Sequence, residues 1–140
     1  MIPLRLVIDT NVIVSAAIMP EGLQRTVVNI ALAKPCRFYV SESILEEYKK
    51  VIARPHLKID RSSRRRLLDL IADRSHLVEP TRLPVVTSDP DDNKFVECAD
   101  AARADYLLTG NQRHFPTHWK CTKIITSRQF IEIVAPHLIS

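Results

Sequence analysis

Several features that would assign a chain to a common class are missing from this sequence. Its three cysteines, Cys36, Cys98 and Cys121, are odd in number, widely spaced and form no Cys-x-x-Cys pair. Neither a disulfide framework nor a zinc ribbon is supported, and a reducing compartment, the cytoplasm, is the simplest setting. No apolar run approaches the ~18 residues that a membrane span requires. Met1-Ile2-Pro3-Leu4-Arg5 lacks a basic segment followed by a long apolar one, and Asp9 ends the first apolar run early, so no secretory leader is expected. With only two glycines there is no Gly/Ser-rich linker, and neither repeats nor low-complexity tracts occur. These absences leave one domain over residues 1–140.

What is present is an ordinary globular balance, 46% hydrophobic and 26% charged residues, enough for a core without staples. The net charge of +4 suits an anionic partner but is too small to select one. Apolar runs of strand length alternate with helical patterns. Leu4–Ile8, Arg37–Val40, Tyr106–Leu108 and Lys123–Ile125 read as strands, with weaker extended segments at His76–Val78 and Leu83–Val86. Helices are expected over Asn11–Ala17, Leu23–Ala33, Ser41–Ala53, Ser63–Arg74, Asp91–Ala104 and Ser127–Val134, with Pro20-Glu21-Gly22 and Arg54-Pro55 as breaks. Strand and helix in repetition predict an α/β fold of three layers, a mainly parallel central sheet with helices on both faces.

In such sheets, sites lie beyond the carboxyl ends of the strands. Asp9 follows the first strand directly, Asp89, Asp91 and Asp92 open a helix, and Asn111 follows the strand Tyr106–Leu108. These oxygen donors suit hard divalent cations. For Asp89 and Asp91, helix capping is a sufficient explanation. Asp9 is harder to dismiss, because a charge between apolar residues is costly unless it is paired or metal-bound. Helical phase separates Glu46 from Glu47. Ile44, Leu45, Tyr48, Val51 and Ile52 share a face; Glu46 lies nearly opposite it and completes a Ser43-x-x-Glu46 capping-box spacing, whereas Glu47 flanks the apolar stripe.

Four fragments, in this order and spacing, resemble the PIN domain family, in particular the toxin-like PIN proteins of prokaryotes. They are Val7-Ile8-Asp9-Thr10-Asn11-Val12, then Tyr39-Val40-Ser41 with Ile44–Ile52 and Arg54-Pro55, then Asp89–Ala99, then Ala104–Asn111. The similarity covers about Leu4 to Ile133. It implies a PIN-like fold and catalytic acids at Asp9, Glu47 and Asp92, converging at the carboxyl edge of the sheet with Asn111. Metal binding is expected at those four positions, and support by hydrogen bonds from Thr10, Asn11 and Thr109. The family's fourth acid is replaced here by Asn111, an amide that brings neither charge nor a general base. The implied activity is endoribonuclease hydrolysis of RNA with one or two Mg²⁺ (or Mn²⁺) ions, as the toxin of a toxin–antitoxin pair. An antitoxin and a homodimer are the implied partners, and no membrane is.

For the RNA, Arg61, Arg64, Arg65 and Arg66 form a basic run that a solvated helix face also explains, while Arg113 and His114 lie nearer the acids. Tyr48, Phe115 and Trp119 are candidates for stacking on bases, with core or loop packing the plainer reading of each. Phosphatases of the haloacid dehalogenase type also begin with a strand-ending Asp, but they need a second Asp two residues on, where this chain has Asn11. A non-enzymatic alternative stays open: an RNA-binding or scaffold domain whose site is weakened at Asn111.

Overall fold

The computed structural model describes residues 3–139; Met1 and Ile2, part of the stretch read above against a leader, lie outside them. In chain order the elements are β1 (Arg5–Ile8), α1 (Thr10–Ile18), α2 (Leu23–Leu32), β2 (Arg37–Val40), α3 (Glu42–Ile52), α4 (Arg61–Arg74), β3 (His76–Leu77), α5 (Asn93–Ala102), β4 (Tyr106–Leu108), β5 (His118–Trp119), β6 (Thr122–Ile125) and α6 (Ser127–Val134). The six strands form one sheet in the order β3-β2-β1-β4-β6-β5. All pairings are parallel except β5 with β6. The fold is the expected three-layer α/β arrangement, with helices covering both faces of the sheet.

The central strand explains why an apolar run without alternation becomes β1. Leu6, Val7 and Ile8 are all fully buried, because a parallel strand is covered on both faces. Around them pack Phe38, Tyr48, Phe95 and Phe130, each buried almost completely. Each such side chain stabilises the fold by roughly 1.5–3 kcal/mol of burial. The chain leaves β1 toward β2 and β3 on one side and returns to β4 on the other. The strand order therefore reverses between β1 and β4, where Leu6 pairs with Tyr106 and Ile8 with Leu108. A crevice beyond the carboxyl ends of those two strands is where such sheets place their sites.

Two local expectations are corrected, and one element is new. Leu83–Val86 is not extended sheet structure. Pro80 and Pro84 lack amide donors, and two of the other amides find side chains instead. Leu83 N–H donates to Glu97 Oε2 at 3.1 Å and Val86 N–H to Asn93 Oδ1 at 2.9 Å, lacing the segment to α5. The Ser43–Glu46 capping box is absent: Ser41 caps α3, its hydroxyl accepting from Ile44 N–H at 3.3 Å, and Ser43 lies inside the first turn. A short antiparallel strand, His118–Trp119, was not expected; the chain turns back through Lys120 at φ 51°, a left-handed residue that no glycine announces. Among the described residues, no helix is long and apolar enough to cross a membrane.

Candidate active site at the carboxyl edge of the sheet

Asp9 sits where the strand order reverses. Its amide donates to the Leu108 carbonyl at 2.8 Å, stitching the end of β1 to β4. It occupies the N-cap position of α1 yet makes no side-chain capping bond there, so the bland explanation for an acid at a helix start does not apply. The carboxylate is buried, with 5% of the residue exposed, and Oδ2 accepts from Thr109 Oγ1 at 2.7 Å. Burial pushes its pKa up from 3.8 to about 6; the Thr109 hydroxyl opposes this, while the charges of Asp92 and Glu47 reinforce it. Thr109 Oγ1 also accepts from the Asn111 amide at 3.0 Å, and Gly110 N–H donates to Asn11 Oδ1 at 3.3 Å. The loops after β1 and β4 are thus tied together through Thr109 and Asn11.

Helix α3 turns Glu46 to solvent and Glu47 toward Asp9. Thr10 Oγ1 donates a short hydrogen bond to Glu47 Oε2, and Lys94 Nζ lies 2.8 Å from Oε1. The neighbouring Tyr48 is fully buried and its hydroxyl donates to the Ile8 carbonyl, one residue before Asp9. That burial removes Tyr48 as a base-stacking residue, and Phe115 is likewise packed in the core. Trp119 is engaged elsewhere, its Nε1–H donating to Asp100 at 2.9 Å.

Asp92 ends a 3-10 turn, Pro90–Asp92, that leads into α5. Asp89 caps that turn, accepting from Asp91 N–H at 3.0 Å, the structural role allowed for it from sequence. Asp92 Oδ2 lies 3.3 Å from His114 Nδ1. Burial and then the Asp89 charge raise the Asp92 pKa, against the lowering influence of His114. His114, expected as an RNA contact, is here a partner of a candidate catalytic acid. Arg113 is exposed beside it.

Asp9, Glu47 and Asp92 therefore face one another closely enough for their charges to interact, yet they form no finished cage. Among the described residues, no group of three or more His, Cys, Asp or Glu side chains is arranged to hold a metal ion. The reason is visible in the contacts: Thr109 holds one acid, Lys94 the second and His114 the third. The donor chemistry itself, three carboxylates with an amide nearby, suits a hard divalent cation. The exposed Asn111 side chain makes no hydrogen bond to these acids among the described residues. Arg64 and Arg65 lie on α4, Arg65 paired with Asp69 at 3.8 Å, and neither is bonded to the three acids.

Sequence reasoning missed Lys94, although it stands two residues after Asp92, and it missed the buried Asn93 and its helical neighbour Glu97. The only signal for the latter pair was two polar residues four apart on a helix otherwise rich in apolar positions. Beside Glu47 and Lys94 runs a polar cleft of about 350 Å³, lined also by Glu46, Lys50, Arg54 and Asp91.

Comparison with known proteins agrees with this architecture. A profile of the PIN domain matches residues 5–113. An uncharacterized protein of Methanocaldococcus jannaschii is 31% identical over 114 residues, covering 79% of this chain and 73% of that protein. Among solved structures, VapBC2 from Rickettsia felis, bound to a DNA fragment from its promoter, aligns with a TM-score of 0.57. That match has 15% identity and covers 88% of this chain and 98% of the other, a likeness of fold.

Proposed function

Because this chain belongs to the PIN domain family, we propose that it is a metal-dependent endoribonuclease that hydrolyses RNA phosphodiester bonds at the edge formed by Asp9, Glu47 and Asp92. One observation carries the reading: a buried Asp9 that caps nothing, whose pKa is held near 6 by burial and by two neighbouring acids. Such crowding is unfavourable for a merely structural group and is typical of sites that take a cation or a proton.

Asp9, Glu47 and Asp92 are the residues to hold Mg²⁺ or Mn²⁺, with Asn111 as a neutral oxygen donor at the rim. One or two such ions, when bound, lower the pKa of a water and stabilise charge on phosphate oxygens. The chain's own groups do the positioning. Thr109 and Thr10 fix one oxygen each of Asp9 and Glu47, Asn11 ties the two loops, and burial of the β1–β4 edge limits the water around Asp9. His114 touches Asp92, and Arg113 beside it in sequence adds a second group that could meet an RNA phosphate, with Arg64 and Arg65 on α4 as a further basic surface. By the motifs it shares with the toxin-like group, the protein acts as a single cytoplasmic domain over 1–140, a homodimer and the toxin partner of an antitoxin.

Purified protein incubated with a long single-stranded RNA should cut it with Mg²⁺ or Mn²⁺ and stop on addition of EDTA. Cleavage that persists in EDTA would reject the reading. A second reading, a domain that binds RNA without turnover, is favoured by Asn111 standing where the resemblance expects an acid. It predicts a gel shift with no products at any Mn²⁺ concentration.

A further inference from the structure

We propose that Lys94 is a tethered counter-ion for Glu47 that is exchanged for the divalent cation, and that the displaced ammonium then takes a phosphate oxygen of the RNA in the adjoining cleft. The inference rests on the metal-dependent reading above and adds a second state to it. Both Glu47 oxygens are occupied, Oε2 by the Thr10 hydroxyl and Oε1 by the Lys94 ammonium at 2.8 Å. A cation that binds Oε1 must displace Lys94 or share that oxygen with it, and one on Oε2 still sits beside the ammonium on the same carboxylate, where two cations repel.

Where the ammonium goes is set by what surrounds it. Lys94 starts the first turn of α5, its side chain is about one quarter exposed at 26%, and it lines the cleft with Lys50 and Arg54. Four flexible methylene groups let the charge swing from Glu47 into that cleft without moving the helix. Lys50 and Arg54 there face Glu46 and Asp91 in the same lining, so a released Lys94 adds the cation that tips the cleft toward a phosphate oxygen. Lys94 thus neutralises an acid when the metal is absent and contacts substrate when it is present.

The test compares parent, Lys94→Met, Lys94→Arg and Lys50→Met, measuring Mn²⁺ affinity by electron paramagnetic resonance of free Mn²⁺, melting temperature, and KM for single-stranded RNA at saturating Mn²⁺. Lys94→Met should bind Mn²⁺ about tenfold more tightly, because the competing charge is gone. It should melt lower than the parent in EDTA, recover with Mn²⁺, and show a KM raised severalfold. Lys94→Arg, which keeps the charge, should match the parent within about twofold in Mn²⁺ affinity. Lys50→Met, which removes an equal charge from the same cleft without touching Glu47, should leave Mn²⁺ affinity nearly unchanged. Unchanged or weaker Mn²⁺ binding in Lys94→Met, or equal tightening in Lys50→Met, overturns the exchange while leaving the nuclease reading intact. No Mn²⁺ binding by any of the four proteins removes the nuclease reading and the exchange together.

Discussion

Helix α5 carries an acid at each end, and the two behave in opposite ways. At its start, Asp92 is pushed up by burial and by Asp89. Past its middle, Asp100 is held down by the Lys120 ammonium at 2.9 Å and by the Trp119 indole. An acid near a helix C-terminus opposes the helix dipole, and Lys120 offsets it. Asp105, at the same amino edge of the sheet, accepts from Arg5 N–H at 2.8 Å and likewise serves to pin a strand. One edge of the sheet satisfies its carboxylates; the other crowds them. Asp100, tied to Lys120 and Trp119, is held down, whereas Asp9 and Asp92 are raised by burial at a cost to the fold.

The sharpest way to break this contrast is Asp9→Asn. Cleavage should fall by at least about 100-fold, more than typical losses for residues that only support a metal ligand, while the far-ultraviolet circular dichroism is unchanged. A variant that cuts RNA at the parent rate would move the active centre elsewhere. Its stability sharpens the contrast further. The folded pKa of Asp9, about 6, lies above its ordinary 3.8, so Asp9 contributes stability that is fully present below 3.8 and lost as pH rises through 6. In EDTA, Asp9→Asn should therefore melt much like the parent near pH 4 and be more stable above pH 6, by up to about 3 kcal/mol at ~1.4 kcal/mol per pKa unit.

Asp100→Asn should give the reverse profile and a smaller effect. A lowered carboxyl contributes stability that is present above its ordinary pKa and lost as pH falls through the folded one. The variant should be destabilised by about 1 kcal/mol at neutral pH, converge with the parent in acid, and cut RNA normally. Denaturant melts at pH 3 and pH 7 read this directly, and a gap that widens in acid would erase the distinction between the two ends of α5. Smallest is Asn111→Asp. The added anionic oxygen should lower the Mn²⁺ concentration for half-maximal cleavage by about two- to fivefold. An increase in that concentration would show that position 111 faces away from the ions.

Strands β1, β2, β4 and β6 and the place of Asp9 at the end of β1 were legible because both depend on short-range pattern: Leu6–Ile8 is apolar without alternation, and Asp9 interrupts it. Helical phase alone separated Glu46 from Glu47, since one helix periodicity decides which side chain faces the sheet. The partners of the acids were not legible. Lys94 meets Glu47 across 47 residues of sequence, and only the crossing of α3 with α5 brings them together. Leu83–Val86 misled for a similar reason: its composition suits a strand, but Asn93 and Glu97 on α5 had already claimed its amides. β5 escaped notice because two residues carry no period and its turn rests on Lys120.

The hydroxyl of Tyr48 on the Ile8 carbonyl works as a crossbar. Tyr48 follows Glu47 and Ile8 precedes Asp9, so a single bond in the dry interior gauges the span between two acids at the rim. Tolerances at that rim are therefore set by the machining of the core. A substitution such as Phe38→Leu, which loosens the edge-to-face contact of Phe38 with Tyr48 at 6.5 Å between ring centres, would shift the gauge before it unfolds the protein. In such variants, catalysis is the more sensitive thermometer of packing: RNA cleavage should decline at temperatures where circular dichroism still reports an intact fold.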